Sequence, residues 1–384
     1  MGDTAPQASK KAYVYFANLD GLRAIAALMV VLSHIQLHKG LQGLQNTDWV
    51  DFKNLGKVGV TLFFTLSGFL ISYLLLEERR GFGNVSFKHF YIRRVLRIWP
   101  LYFLVIIIGF FIYPAQGSPK ALLLSIFLLP NLAFCLKLLP YIFDPIWSIG
   151  VEEQFYLFHP HIFRRKKTEH ILYTLLGILV VLVAINLVVR HYRLHSDFMG
   201  ELNQFLYFTR FDNMMVGAIV AVLYYNTKHQ SFSFALQHWF NLLFNRYLQI
   251  ALLLSLAVFI YFFLKREIGQ GDLLIALLAA LLMVGLCEPD SSKLILGNKY
   301  MVYFGKISYG IYLLHKYPLF LMLYIVKNYL PTASLLWQNI VIYTGTFVLV
   351  IALASISYYG FERYFLRIKS RFQKVTQSKP AIQN

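Results

Sequence analysis

Arg23 and His34 stand eleven residues apart in an otherwise apolar stretch that opens Leu19-Asp20-Gly21-Leu22-Arg23 and reaches Ser33-His34. On a helix this separation is ~16 Å of rise, with Arg23 near one end and His34 toward the other. An imidazole titrates near neutral pH and suits removal of a proton from an alcohol. Inside an apolar run an ionisable group is expensive and marks function by default. His34 therefore reads either as a general base or as a histidine satisfied by its packing. Arg23 either reaches a ligand or snorkels to lipid headgroups. Asp20 is placed to cap the helix start.

Five further places carry polar chemistry. Arg94 and Arg97 lie three apart and share one side of a helix. Paired guanidiniums suit phosphate groups through bidentate bonds, and equally suit an anchor at lipid headgroups. Ser148 and Glu152 share a face in Trp147-Ser148-Ile149-Gly150-Val151-Glu152-Glu153. Glu152 and Glu153 are adjacent and point apart, so one is expected to orient His34 and the other to hold a structural partner. Arg210, Asp212 and Asn213 form a short polar run in which Arg210 and Asp212 either serve the substrate or neutralise buried charge. His315, in Ile307-Ser308-Tyr309-Gly310-Ile311-Tyr312-Leu313-Leu314-His315, falls near mid-helix and either touches substrate or fixes packing. Glu362 and Arg363 read as a local ion-pair set.

The elements that must position these groups follow from composition. The 384 residues are 58% hydrophobic and 14% charged, against roughly 45–50% and about 25% in soluble domains. The fold class expected is an all-α integral membrane protein of about ten transmembrane helices. The candidate spans are 20–38, 57–77, 95–113, 146–163, 170–190, 204–225, 247–264, 271–287, 304–326 and 336–360. The stretch 121–139 is apolar but interrupted by Pro130, Asn131 and Lys137 and closed by Pro140. It reads as re-entrant from the outer side, the alternative being a full span that would leave 146–163 at or near the inner surface. With the N-terminus inside, the inner segments hold roughly 22 Lys and Arg against roughly 8 outside, which puts both termini in the cytoplasm. This divides the chain into a cytoplasmic tail 1–19, a membrane domain 20–367 and a basic cytoplasmic tail 368–384.

The basic residues behind the net charge of +18 cluster in short runs between apolar stretches, such as 77–80, 93–97, 164–167 and 363–371, the pattern of cytoplasmic loops and not of a nucleic-acid face. The two cysteines, Cys135 and Cys287, make neither a disulfide framework nor a metal spacing. No metal is expected. No P-loop, dinucleotide fingerprint, G-x-S-x-G elbow or H-E-x-x-H helix is present.

Together these segments resemble the acyltransferase family 3 membrane proteins. The opening LDGLRAIAALMVVLSHI carries the family's Arg-x10-His pattern as Arg23 and His34, GVTLFFTLSGFLIS matches its second helix, and RVLR supplies Arg94 and Arg97 as its Arg-x-x-Arg pair. WSIGVEEQFYL, TRFDNMMVGAIVA, ISYGIYLLHKYP and SYYGFERYFLRIK match later blocks, with Arg363 where a lysine commonly follows the glutamate. The resemblance implies that His34 is catalytic and that Arg94 and Arg97, grouped with Arg23, receive the acyl-CoA donor, acetyl-CoA by default. It implies a carbohydrate or glycolipid acceptor in a multi-pass inner or plasma membrane protein. Some members carry an extracellular esterase-like domain, and this chain looks like the stand-alone form.

The expected mechanism has His34 deprotonate a sugar hydroxyl, Glu152 or Glu153 stabilise the imidazolium, and Ser148, Asn213 or Tyr309 donate to the oxyanion. An acyl-histidine intermediate is the alternative chemistry. The alternative function is a polytopic transporter or flippase for a glycan or lipid precursor, using the same charges as a substrate or proton path. A sensor without chemistry ranks last, because short loops leave little docking surface.

Overall fold

The computed structural model describes residues 12–44, 52–112, 118–165, 167–265, 271–288, 296–373 and 375–376. Most of the tail 1–19, much of the tail 368–384 and the end of the span 95–113 lie outside these residues.

The described chain is built of helices: α1 Ala17–Leu41, α2 Leu55–Phe82, α3 Phe87–Ile112, α4 Pro119–Ile126, α5 Pro130–Cys135, α6 Ile146–Ile162, α7 Thr168–Tyr192 and α8 Asp197–Thr209. There follow α9 Phe211–His229, α10 Gln237–Asn241, α11 Arg246–Lys265, α12 Gly271–Leu286, α13 Lys299–Leu314, α14 Lys316–Tyr329, α15 Leu335–Ser357 and α16 Arg363–Ser370. A π turn, Tyr358–Glu362, joins α15 to α16. The two-residue strands β1, Ala12–Tyr13, and β2, Val375–Thr376, pair in parallel and bring the two ends of the described chain to one face of the bundle.

Among the described residues, seven helical stretches are long and apolar enough to cross a membrane, or eight when α13 and α14 are taken as one bent span. The ten expected spans differ from this by two. The 16 residues of α12 and the 17 of α6 fall below the ~20 of a typical crossing, and α6 carries Glu152 and Glu153. The stretch 121–139 forms α4 and α5, of 8 and 6 residues, neither able to span. Leu128 and Lys137, in the left-handed region at φ 60° and 56°, turn the chain at their ends.

Two breaks bear on the site. Pro318 has no N–H for the Leu314 carbonyl, and its ring crowds that oxygen. The helix accordingly breaks at His315, and α14 leaves α13 at 60°. Between α8 and α9, Arg210 adopts φ 43° and the pair continues as one membrane-length stretch. Here the expected span 204–225 runs through an interruption that its apolar composition conceals.

α2 is the centre of the bundle. Its most apolar stretch is 83% buried, against 17% in α7 and α11, whose apolar faces are left for lipid. It packs along α9, and α1 packs on α2 and α13. Small residues permit the close approach. A Cβ on Gly68 would sit 1.9 Å from the Met214 carbonyl oxygen, and one on Gly217 2.0 Å from that of Thr65. Both obstacles are backbone, so neither can swing away. Gly217→Val is expected to cost about 1–3 kcal/mol or more by overpacking. It should lower the apparent melting temperature of the detergent-purified protein. Gly81→Ala, where a Cβ meets nothing within 4 Å, should leave the melting temperature unchanged or slightly raised.

Candidate active site

α1 enters the bundle at Ala17 with Phe16 in the capping position and no side-chain cap. Asp20 is inside the first turn and accepts a 2.7 Å ion-paired hydrogen bond from Arg23. It serves as the partner of Arg23 and not, as the sequence suggests, as the cap. Further along α1, Ser33, Gln36, His38 and Lys39 are buried and His34 is half-buried, so its far half carries a polar stripe into the protein.

The partner of His34 is His315. Their rings lie 12° from parallel with centroids 4.9 Å apart, and His34 Nδ1 is 2.7 Å from His315 Nε2. The break between α13 and α14 makes this possible by setting His315, with no exposed surface, at the bend. His315 Nδ1 is 2.7 Å from the Tyr312 carbonyl oxygen, which can only accept, so that nitrogen carries a proton. With both rings neutral, His315 Nε2 then accepts from His34 Nδ1–H. His34 Nε2 is left with a free lone pair, the form a general base requires.

One turn beyond His34, Lys316 Nζ donates to His38 Nε2 and lies 3.5 Å from Asp144 Oδ2. Lys316 is fully buried, and Asp144 is the carboxylate that compensates its charge. Lys39 donates to Asn339. The sequence reading passed over His38, Lys39 and Lys316 as functional candidates, although His38 follows His34 at helical spacing and Lys316 adjoins His315.

The expected carboxylate partner of His34 is replaced. Glu152 accepts from Tyr156 at 2.9 Å and from Ser67 at 3.3 Å, and Glu153 accepts from Trp99 Nε1 at 2.8 Å. Both belong to the arginine end of the protein. Equal depth in the membrane is not contact: the rotation of α6 turns its carboxylates toward α2 and α3.

Arg23, Arg94 and Arg97 line one cavity together with Ser67, Glu152, Tyr156, Tyr309, Ser148 and Tyr312. Arg94 stacks between the Phe90 and Tyr156 rings, and its Nε is buried without a partner among the described residues. Arg93 is bound to Glu78 at 2.8 Å and to the Phe372 carbonyl, outside that cavity. Lys369, also buried, feels the charges of Arg23, Arg93, Arg94 and Arg97 and lines an adjoining vestibule with Arg23, Arg97 and Glu362. Glu362 accepts from Ser357 at 2.9 Å, in place of the expected pair with Arg363.

The cavity's other end is Ser148 and Tyr312, whose hydroxyls are 2.6 Å apart. Tyr312 is also the residue whose carbonyl holds His315, and their ring centroids are 6.3 Å apart, although neither histidine lines the cavity itself. Tyr309 lines the same cavity but donates its hydroxyl to the Ile98 carbonyl at 2.8 Å. Arg210, Asp212 and Asn213 line a different cavity, with Lys57 and Asp272. Among the described residues no group of three or more His, Cys, Asp or Glu converges as metal ligands would.

Residues 16–359 match the family described as an acyltransferase domain, acyltransferase family 3. The chain belongs to this family. Among its relatives is an O-acetyltransferase, OatA, of Staphylococcus aureus strain NCTC 8325 / PS 47, 26% identical over 373 residues, 90% of this chain and 56% of the relative. A candidate peptidoglycan O-acetyltransferase of Bacillus subtilis strain 168, YrhL, is 27% identical over 336 residues, 80% of this chain and 49% of the relative. The chain thus spans about half the length of these curated relatives. No solved structure matches it. With its apolar helices, this member of the family is a multi-pass protein of the plasma membrane.

The tautomers of the histidine pair are open to direct measurement. In 15N NMR of the histidine-labelled protein at neutral pH, His315 should carry its proton on Nδ1. His34 should also be protonated on Nδ1, with an unprotonated Nε2. A His34 protonated on Nε2 would contradict the geometry.

Proposed function

We propose that the protein transfers an acetyl or similar acyl group from cytoplasmic acyl-CoA to a hydroxyl of a cell-surface or lipid-linked carbohydrate, with His34 as general base. The observation that carries this reading is the single cavity leading from Arg23, Arg94 and Arg97 to the Ser148–Tyr312 pair beside the histidines. The end bearing the arginines is the one where the two chain ends pair. We take that face as cytoplasmic, in keeping with the Lys and Arg bias, and count about ten helical crossings, with α4 and α5 re-entrant.

In this reading the guanidiniums of Arg94 and Arg97, with Arg23, bind the phosphates of the donor, and the pantetheine arm follows the cavity. Such an arm is on the order of 15–20 Å long, enough to cover the rise from Arg23 to His34. The acceptor oxygen attacks the thioester carbon while its proton passes to His34 Nε2. Ser148 and Tyr312 are placed to donate to the oxyanion. The carbon–sulfur bond then breaks, and the proton leaves with the CoA thiol. His315 positions His34, and Glu152 balances the arginines. Glu153, through Trp99, holds α6 on α3. The names of the relatives support an O-linked product, and peptidoglycan in the name of one supports a cell-wall glycan as acceptor.

The test is transfer of label from radioactive acetyl-CoA to a soluble glycan by detergent-purified protein, a readout that transport would not give. His34→Ala should reduce transfer by 10²-fold or more with unchanged expression and melting temperature. Full transfer by that variant would remove the proposed base. Replacing both Arg94 and Arg97 by alanine should raise KM for acetyl-CoA about 10- to 100-fold, since hydrogen bonds between charged groups are worth about 1.5–3 kcal/mol. The same variant should leave kcat within a few-fold. An unchanged KM would count against the phosphate role.

A further inference from the structure

The cavity lined by Arg210, Asp212 and Asn213 opens on the face opposite the paired chain ends. It is bounded by the start of α2, the end of α7, α8, the start of α9, the end of α11 and the start of α12. Its basic side chains are Lys57, Arg190, Arg193 and Arg210, and its acidic ones Asp212 and Asp272. Arg210 and Asp272 pair at 3.3 Å, so the remaining groups leave an excess of positive charge. Arg190 and Arg193 are exposed.

The floor is a built feature. Asn213 is 1% exposed, and neither its Nδ2 nor its Oδ1 has a partner among the described residues. A buried carboxamide with both ends unsatisfied is costly, and the ligand that satisfies it must donate and accept at adjacent atoms. Neighbouring hydroxyls of a sugar do this. Arg210 beside it is held in the left-handed region at φ 43° by Asp272, by Thr61 Oγ1 at 3.1 Å and by the Lys57 carbonyl at 3.4 Å. Backbone strain maintained by buried partners is a mark of functional sites.

The cavity also lies close to the chemistry. Lys57 lines it and Val60 lines the donor cavity, and the two are less than one turn apart on α2, ~4.5 Å of rise. Ser33, next to His34, donates to the Lys53 carbonyl at 2.5 Å, one residue before the cavity-lining Asn54.

We infer that this second cavity is the acceptor subsite, binding a carbohydrate that bears a negative charge. Asn213 reads its hydroxyls, and Arg190 and Arg193 at the rim attract its anionic group. The inference rests on the proposed acyl transfer for the name of acceptor, but the binding itself can be measured with no acyl donor present.

The experiment uses the full-length protein in detergent and two soluble probes differing in one carboxylate. One is the disaccharide of N-acetylglucosamine and N-acetylmuramic acid, and the other is neutral chitobiose. Affinities are read by saturation-transfer NMR. The wild type should bind the acidic disaccharide more tightly than chitobiose. Asn213→Ala should weaken both about tenfold or more while leaving acetyl-CoA binding as it is. Replacing Arg190 and Arg193, both exposed and safe for folding, should weaken only the acidic probe and erase the preference. Absence of saccharide binding by the wild type at millimolar concentration would overturn the inference, as would unchanged affinity in Asn213→Ala. Equal loss of both probes in the double arginine variant would overturn the charge assignment. Saccharide binding with these effects but no acetyl transfer would retain the subsite and reject the enzyme reading instead.

Discussion

A polar side chain on a membrane-embedded helix must find its partner inside the protein, and the fold depends on how α1 meets that demand. His34, His38 and Lys39 all lie on its far half. Their partners are His315, Lys316 and Asn339, contributed by the last third of the chain. A straight helix through His315 and Lys316 would present neighbouring residues about 100° apart around its axis. The bend at Pro318 ends the regular helix at Leu314, so both residues sit at the junction and each reaches its own histidine on α1. The α1–α13 packing and the histidine pair are thus one feature, and the same proline underlies both.

Charge is distributed with equal economy at the other end. Arg23, Arg94, Arg97 and Lys369 share a small volume in which Asp20, Glu152 and Glu362 are the nearby acids. Among the described residues, only Arg23 of these four has a close carboxylate, at 2.7 Å. Arg94 is steadied by two aromatic faces, with Glu152 and Glu153 near it but no carboxylate within ion-pair distance among the described residues. A cluster of this kind is poorly explained as packing, because the same helices could be held by neutral residues at lower cost. It is well suited to a multiply charged anion arriving from water.

Much of the site was legible in the sequence because an ionisable residue in an apolar run is visible at once. His34 and Arg23 stand out on that ground, Arg94 and Arg97 by their helical spacing and Ser148 by the face it shares with Glu152, and the structure gathers Arg23, Arg94, Arg97 and Ser148 on one cavity. What sequence could not supply was azimuth. Glu152 and His34 were paired by depth, yet the rotation of α6 sends Glu152 to Ser67 and Tyr156. His315 was noticed without its role, because the bend that aims it depends on Pro318 three residues on. Lys316 and His38 went unremarked as a pair since their contact spans most of the chain. Helices were legible by apolar length, but the interruption at Arg210 was not, because φ 43° at an arginine is imposed by tertiary partners and no local signal announces it.

The histidine pair has a chemical consequence that a histidine–carboxylate pair would not. His315 fixes the tautomer of His34 through one hydrogen bond, as a carboxylate would, but brings no negative charge to offset an imidazolium. Lys316, the next residue, adds a positive charge in the same region, offset by Asp144 on its far side. A free-standing imidazolium is therefore poorly tolerated at His34. In the proposed reaction the countercharge must come from the substrates, first as the tetrahedral oxyanion and then as the departing thiolate. Proton uptake by His34 is then favourable only when attack on the thioester has begun, and the proton is returned as the carbon–sulfur bond opens. A base arranged in this way has little reason to ionise an alcohol, or a stray water, while the donor cavity is empty. The neutral partner thus links proton transfer to occupancy of the cavity that runs to the arginines.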